Sequence, residues 1–146
     1  MYPEELVAPM RRELTNEGFK EIKTPAEAED AIKNNKGTLL LVVNSVCGCA
    51  AGSARPGIVM SLETSTKKPD NLYTVFAGME KDATQKVREF LLPYPPSSPS
   101  IALFKDGELV HMVERHQIEG RPAEIIAKHL VQVYDYFCNE VPAETK

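Results

Sequence analysis

The sequence predicts an α/β fold, and three observations carry that expectation. Leu39-Leu40-Leu41-Val42-Val43 is apolar throughout, as a strand buried on both faces is. Segments with apolar residues at helical spacing alternate along the chain with short strand-like runs. Lys105-Asp106-Gly107 separates two such runs and is a hairpin signal, so at least one strand pair is antiparallel. The 146 residues, 42% hydrophobic and 26% charged, suit one globular domain of α/β or α+β composition, expected over 1–146.

Taken in order, Glu4 to Glu17 reads as an amphipathic helix with Leu6, Val7, Met10 and Leu14 on one side, ended by Gly18. Phe19 to Ile22 is a short alternating strand. Thr24-Pro25-Ala26-Glu27 is a helix start with a Thr cap, Pro at the first helical position and Glu placed for a capping box. That helix is expected to reach about Asn35, with Gly37 beyond its end. Thr38 to Asn44 is the central strand, and a helix is expected directly after the cysteines that follow it. Pro56 falls inside that helix, where it removes one backbone hydrogen bond and bends the axis. Glu63 to Asn71 is expected as loop and Leu72 to Phe76 as strand.

Asp82 is expected to cap a helix carrying Ala83, Val87, Phe90 and Leu91. Pro93 to Pro99 holds four prolines in seven residues, a linker composition, yet the strand, turn and strand from Ser100 to Val113 follow at once. Pro122 opens the last helix at its first turn, with Ile126, Leu130, Val133 and Phe137 as its apolar stripe.

A formal charge of -4 spread over the chain, with no basic stripe, excludes nucleic acid as the expected partner. The acidic opening Met1-Tyr2-Pro3-Glu4-Glu5 does not read as a signal peptide, and the longest apolar run is too short to span a bilayer. A cytoplasmic protein without a membrane partner is the expectation. Three cysteines cannot all pair within one chain, and a reducing compartment disfavours a structural disulfide.

Attention therefore falls on Ser45-Val46-Cys47-Gly48-Cys49-Ala50, where the apolar strand stops at two cysteines one residue apart. Open α/β sheets place their chemistry at strand C-termini, and unpartnered N–H groups at a helix start favour a thiolate. Redox chemistry, half of a metal site, and small buried hydrophobes are the three readings of such a pair. No second close pair supplies the four ligands of a structural zinc site, so no metal is expected.

The element order, the cysteine pair between buried strand and helix, the proline inside that helix, and Ser98-Pro99-Ser100-Ile101-Ala102-Leu103-Phe104-Lys105-Asp106-Gly107 together resemble the thioredoxin fold. That resemblance implies a central mixed sheet flanked by helices on both faces, and a cis peptide before Pro99 lying against the cysteines. Within the superfamily, Cys47-Gly48-Cys49 and the chain length resemble the bacilliredoxins, a resemblance covering essentially the whole chain. It implies removal of bacillithiol from protein mixed disulfides, with Cys47 attacking and Cys49 as second cysteine. Bacillithiolated proteins, bacillithiol as thiol co-substrate and a bacillithiol disulfide reductase are the implied partners, with no bound cofactor. Broad protein disulfide reduction or isomerisation, and a non-enzymatic metal-thiolate module, are the alternatives.

The residues themselves add detail to these expectations. Cys47 lies nearer the open end of the strand-helix junction than Cys49, which suits it to attack. Gly48 permits the backbone torsions of an eleven-membered disulfide ring. Pro99 offers no N–H beside the thiols, and the Ser98 backbone can pair with an extended substrate. Arg55 is a candidate cation for the carboxylates of bacillithiol, with a solvated arginine as the alternative. Glu114-Arg115-His116 is a candidate border of the site. Cys138, beside Phe137, reads as a buried structural thiol, and His111, His116 and His129 as packing or surface residues.

Overall fold

The computed structural model of the chain describes residues 2–140, so the domain expected over 1–146 extends past them at both ends. Helix α1 (Glu4–Thr15) buries Val7, Arg11 and Leu14. The expected apolar stripe is therefore shifted: Leu6 is 48% exposed, and Arg11 points inward instead. Its guanidinium lies 2.8 to 3.1 Å from Glu4, Glu21 and Glu80 and over the Phe76 ring. A buried arginine matched by carboxylates and an aromatic face is stable where an unmatched one is not.

Strand β1 is only Lys20–Glu21, shorter than expected, with Phe19 and Ile22 buried on opposite faces of the sheet. Helix α2 (Pro25–Lys33) begins with the expected capping box, Thr24 accepting from the Glu27 N–H and the Glu27 carboxylate accepting from the Thr24 N–H. Strand β2 (Thr38–Asn44) is buried at every position. Leu39, Leu41 and Val43 enter one core and Leu40 and Val42 the other, as the two-residue period of a strand requires.

Beyond the cysteines the chain forms a π-helical turn, Ala50–Ala54, which leads into α3 (Arg55–Thr64). Pro56 does fall within this helix, as expected, at the junction where the wider turn has just ended. The Arg55 N–H reaches back to the Ala50 carbonyl, so the helix accommodates the proline by a π-bulge, one of the few known ways to do so. The expected loop from Glu63 contains strand β3 (Lys67–Lys68) before β4 (Asn71–Phe76).

Helix α4 (Lys81–Phe90) has Glu80 at its N-cap and makes no side-chain cap bond; Asp82 lies in the first turn and does not cap. The Glu80 carboxylate is bound instead to Arg11. The peptide bonds before Pro93 and Pro99 are both cis. Strands β5 (Ser100–Lys105) and β6 (Glu108–Val113) form the expected hairpin. Asp106 and Gly107 have φ of 51° and 84°, the left-handed pair of a type I′ turn.

A short helix unforeseen from the sequence, α5 (Arg115–Ile118), precedes α6 (Ala123–Phe137), for which Pro122 is the N-cap residue rather than part of the first turn. Strand β7 (Asn139–Glu140) pairs with β3 in a separate ribbon. Two-residue strands have no periodicity, which is why neither was foreseen.

The main sheet has the order β1-β4-β2-β5-β6. Its first three strands are parallel, while β5 is antiparallel to both β2 and β6. Helices α2 and α4 cover one face, and α1, α3 and α6 the other. This is the mixed α/β sheet that was expected, with β2 at its centre and both cysteines just past its C-terminal end. Among the described residues no helix is long and apolar enough to cross a membrane.

Helices α3 and α6 meet at Gly57, where an added Cβ would stand 2.7 Å from Ile126 Cβ and 3.0 Å from the Ala123 carbonyl oxygen. Both obstacles are at or next to the backbone and cannot swing away. Gly57→Ala is therefore expected to destabilise the protein by about 1–2 kcal/mol, overpacking outweighing the better helix propensity of alanine. Urea unfolding checks this, and an unchanged or raised midpoint would count against close α3–α6 packing.

Candidate active site

The end of β2 is held by a buried polar cluster. Asn44 Oδ1 accepts from the Ser45 N–H and from Arg55 Nη1, both at 2.9 Å, and the same Nη1 donates to the Ser45 carbonyl at 2.9 Å. Asn44 Nδ2 donates to the Met10 carbonyl, and Arg55 Nε lies 3.1 Å from Glu13. Arg55 is 1% exposed. It is thus neither a solvated arginine nor free to meet a ligand carboxylate, which corrects its candidacy as an anion-binding residue. Burial of a guanidinium needs such partners, and here they fasten the strand end to the start of α3.

Gly48 and Cys49 are the first helical residues after this strand. Cys47 precedes them in the position of an N-cap residue. Its carbonyl accepts from the Ala50 and Ala51 N–H groups, and its Sγ accepts from the Cys49 N–H at 3.4 Å, the bond a capping oxygen makes at other helices. The Cys47 N–H donates to Ser45 Oγ at 3.1 Å. The two sulfurs lie 2.7 Å apart.

The environments of the two thiols differ. Hydrogen bonding from the Cys49 thiol, with help from the Cys49 N–H and the charge of Arg115, lowers the Cys47 pKa despite partial burial. Burial, and then the neighbouring Cys47, raises that of Cys49. Cys49 packs against the core beside α3 and α6, whereas Cys47 lines an open cleft of about 520 Å³ shared with Tyr2, Gly78, Arg88, Ser98 and Arg115. A thiol lowered and facing a cleft, next to one raised and packed against the core, is an arrangement that suits sequential exchange.

The hairpin supplies the facing wall. Ser100 pairs with Val43, which sets Pro99 and Ser98 alongside the end of β2. Pro99 is buried and Ser98 half-buried. The Ser98 carbonyl accepts from Arg115 Nη1 at 3.3 Å, and Arg115 Nε is paired with Glu119 at 2.8 Å. Arg115, from the segment expected to border the site, thus touches the proline loop. Gly48 has no left-handed φ, and an added Cβ there would meet nothing within 4 Å. The dithiol form makes no demand for glycine at this position.

Other expectations resolve away from the site. Cys138 is buried, its pKa raised by that burial, and it follows α6, away from the cysteine pair. His111 and His129, expected as separate packing or surface residues, are brought together with their Nε2 atoms 3.0 Å apart, a contact between β6 and α6 that sequence spacing does not reveal. Among the described residues no group of three or more His, Cys, Asp or Glu side chains is arranged to hold a metal ion. Arg88, on α4, was not singled out from the sequence, since nothing in its local pattern marks it.

The sequence pattern of a family described as disulphide isomerase matches residues 2–138. A protein from Cytophaga hutchinsonii named bacilliredoxin is 64% identical over 135 residues, covering 92% of this chain and 98% of its own length. A bacilliredoxin from Halalkalibacterium halodurans is 56% identical over 137 residues, covering 94% of each chain. Among solved structures, a thioredoxin variant from Halobacterium salinarum superposes with a TM-score of 0.55 at 17% identity, covering 84% of this chain and 92% of that one. Fasciola hepatica thioredoxin gives 0.53 at 18%, covering 80% and 99%. The fold is thioredoxin-like.

The order of influences on Cys47 makes a measurable pH dependence. Because its pKa is lowered, alkylation of Cys47 is expected to persist to lower pH than that of an ordinary thiol. Cys49→Ala is expected to move its midpoint upward, and Arg115→Ala to do so by a smaller amount. Iodoacetamide rates across pH, followed by peptide mass, measure both; a larger shift in Arg115→Ala would mean that charge rather than the paired thiol dominates.

Proposed function

The chain belongs to the disulphide isomerase family whose curated members include the bacilliredoxins, and on that premise we propose that it removes bacillithiol from protein mixed disulfides. Thiol-disulfide oxidoreductase chemistry follows from the family and the fold together. Identification of the small thiol, and of Cys47 as its carrier, is our proposal. The observation that carries it is the asymmetry of the pair: Cys47 lowered and open to the cleft, Cys49 raised and backed by the core.

In the first step the Cys47 thiolate attacks the bacillithiol sulfur of the mixed disulfide. The substrate disulfide breaks, the substrate cysteine leaves as a thiolate that takes a proton from solvent, and Cys47 now holds bacillithiol in a new disulfide. Two exits follow. A second bacillithiol thiolate can attack and release bacillithiol disulfide, restoring Cys47. Alternatively Cys49 loses its proton, attacks Cys47 Sγ, expels bacillithiol, and leaves a Cys47–Cys49 disulfide for an external thiol to reduce.

Bacillithiol is a co-substrate in this scheme and no resident cofactor takes part. A bacillithiol disulfide reductase is the natural recycling partner, bacillithiolated proteins are the substrates, and the reducing cytoplasm is the setting. Ser98 and Pro99 form the wall against which the substrate lies. The Ser98 carbonyl is engaged by Arg115, so an extended substrate that pairs there has to compete with that guanidinium.

The family description favours a second reading, in which the same Cys47 attack is made on protein disulfides with no small thiol. The two are separated by following release of bacillithiol from a modified protein alongside reduction of a protein disulfide. Cys47→Ala is expected to lose bacillithiol release to background. Cys49→Ala is expected to retain at least roughly a hundredfold more than Cys47→Ala, lowered only by its smaller thiolate fraction. Equal loss in the two variants would overturn the assignment of roles, and reduction of protein disulfides without bacillithiol release would favour the second reading.

A further inference from the structure

Arg88 is the charged group at this cleft that has no ion-pair partner among the described residues. Arg11, Arg55 and Arg115 each have a carboxylate oxygen within 3.1 Å, whereas no carboxylate among the described residues lies within 4.0 Å of Arg88. Its Nε, like that of Arg55, is fully covered and has no hydrogen-bond acceptor, but Arg55 Nε has the Glu13 carboxylate beside it and Arg88 has no such neighbour among the described residues. Partial burial already weighs against its charged form. A half-buried guanidinium left unmatched is costly, and an anion that completes its hydrogen bonding offsets that cost.

Arg88 also lies where such an anion would matter. It lines the cleft onto which Cys47 opens, together with Tyr2, Ser45, Ala77, Gly78 and Ser98. At about 520 Å³ the space suits a small molecule rather than a folded protein segment. The two arginines of the cleft are differently disposed. Arg115 is bound to Glu119 and to the Ser98 carbonyl and acts on the sulfurs through its charge. Among the described residues Arg88 has no such engagement.

We propose that the cleft beside Cys47 is the subsite for the small-thiol half of a mixed disulfide, and that Arg88 is its anchoring cation, binding a carboxylate of that thiol. This rests on the small-thiol reading of the function. An anchored carboxylate fixes the small thiol so that its own sulfur, rather than the protein cysteine's, faces Cys47. The anchor thereby selects which of the two disulfide sulfurs is attacked. Arg88 is a positioning residue in this account; the bond changes are those of the first step above.

The test uses one carrier protein bearing three different mixed disulfides: bacillithiol, glutathione as a second carboxylate-bearing thiol, and uncharged 2-mercaptoethanol. Release rates are compared for the unsubstituted protein, Arg88→Gln and Arg88→Lys. The unsubstituted protein is expected to prefer both carboxylate-bearing thiols over the uncharged one. Arg88→Gln is expected to lower that preference roughly tenfold or more, mainly through KM, and Arg88→Lys to restore part of it. Esterifying the thiol's carboxylates should abolish the preference in the unsubstituted protein, an arm that requires no variant to fold.

A preference that survives Arg88→Gln or esterification would overturn the subsite. A preference for glutathione with no release of bacillithiol would instead overturn the bacillithiol reading while leaving the subsite standing.

Discussion

The arrangement depends first on the Arg55 guanidinium, buried between the end of the central strand and the helix that follows it. Its bonds to Asn44 Oδ1 and the Ser45 carbonyl join two stretches of backbone that bracket the cysteine pair. Between these fastenings the chain must leave the sheet, pass Cys47 and start a helix. Cys47 is thereby placed at the helix entry with the Cys49 N–H aimed at its sulfur. The Asn44 amide extends the same network to α1 through the Met10 carbonyl, so the N-terminal helix helps to hold the site's position. Breaking such a cluster by removing one member leaves a buried polar group uncompensated, and the geometry of the sulfurs would loosen with it.

From that placement the inequality of the thiols follows. Both sit at one helix start and both feel the charge of Arg115, yet only Cys47 receives the N–H and the hydrogen bond of the neighbouring thiol without being backed by the core. Cys49, two residues on and packed against the core, loses more to desolvation than it gains from a favourable partner. One residue of spacing thus separates a thiol of lowered pKa from one of raised pKa through burial and hydrogen bonding, with no difference in residue type. The π-bulge has a part in this, because it lets Pro56 occupy a helix that starts at Gly48, between the cysteines.

Much of this was legible in the sequence because local rules set it. The capping box at Thr24, the buried run of β2 and the Asp106-Gly107 turn each follow from patterns a few residues long. The cysteine pair stood out for the same reason. What escaped were long-range polar matches. Arg11 reads as solvent-facing until Glu21 and Glu80 are brought to it, Arg55 as a free cation until Asn44 and Glu13 enclose it, and Arg88 as unremarkable until it shares a cleft with Cys47. The His111–His129 contact likewise joins a strand to a helix that no spacing rule relates.

The role proposed for Cys47 is to take up the small thiol. It is tested most directly by mixing the protein with a bacillithiolated substrate, quenching in acid within the first turnover, and mapping the modified peptides by mass. A bacillithiol adduct on Cys47, formed as the substrate cysteine is freed, is the expected result. An adduct on Cys49, or a disulfide to the substrate protein with no bacillithiol on the cysteine pair, would contradict it.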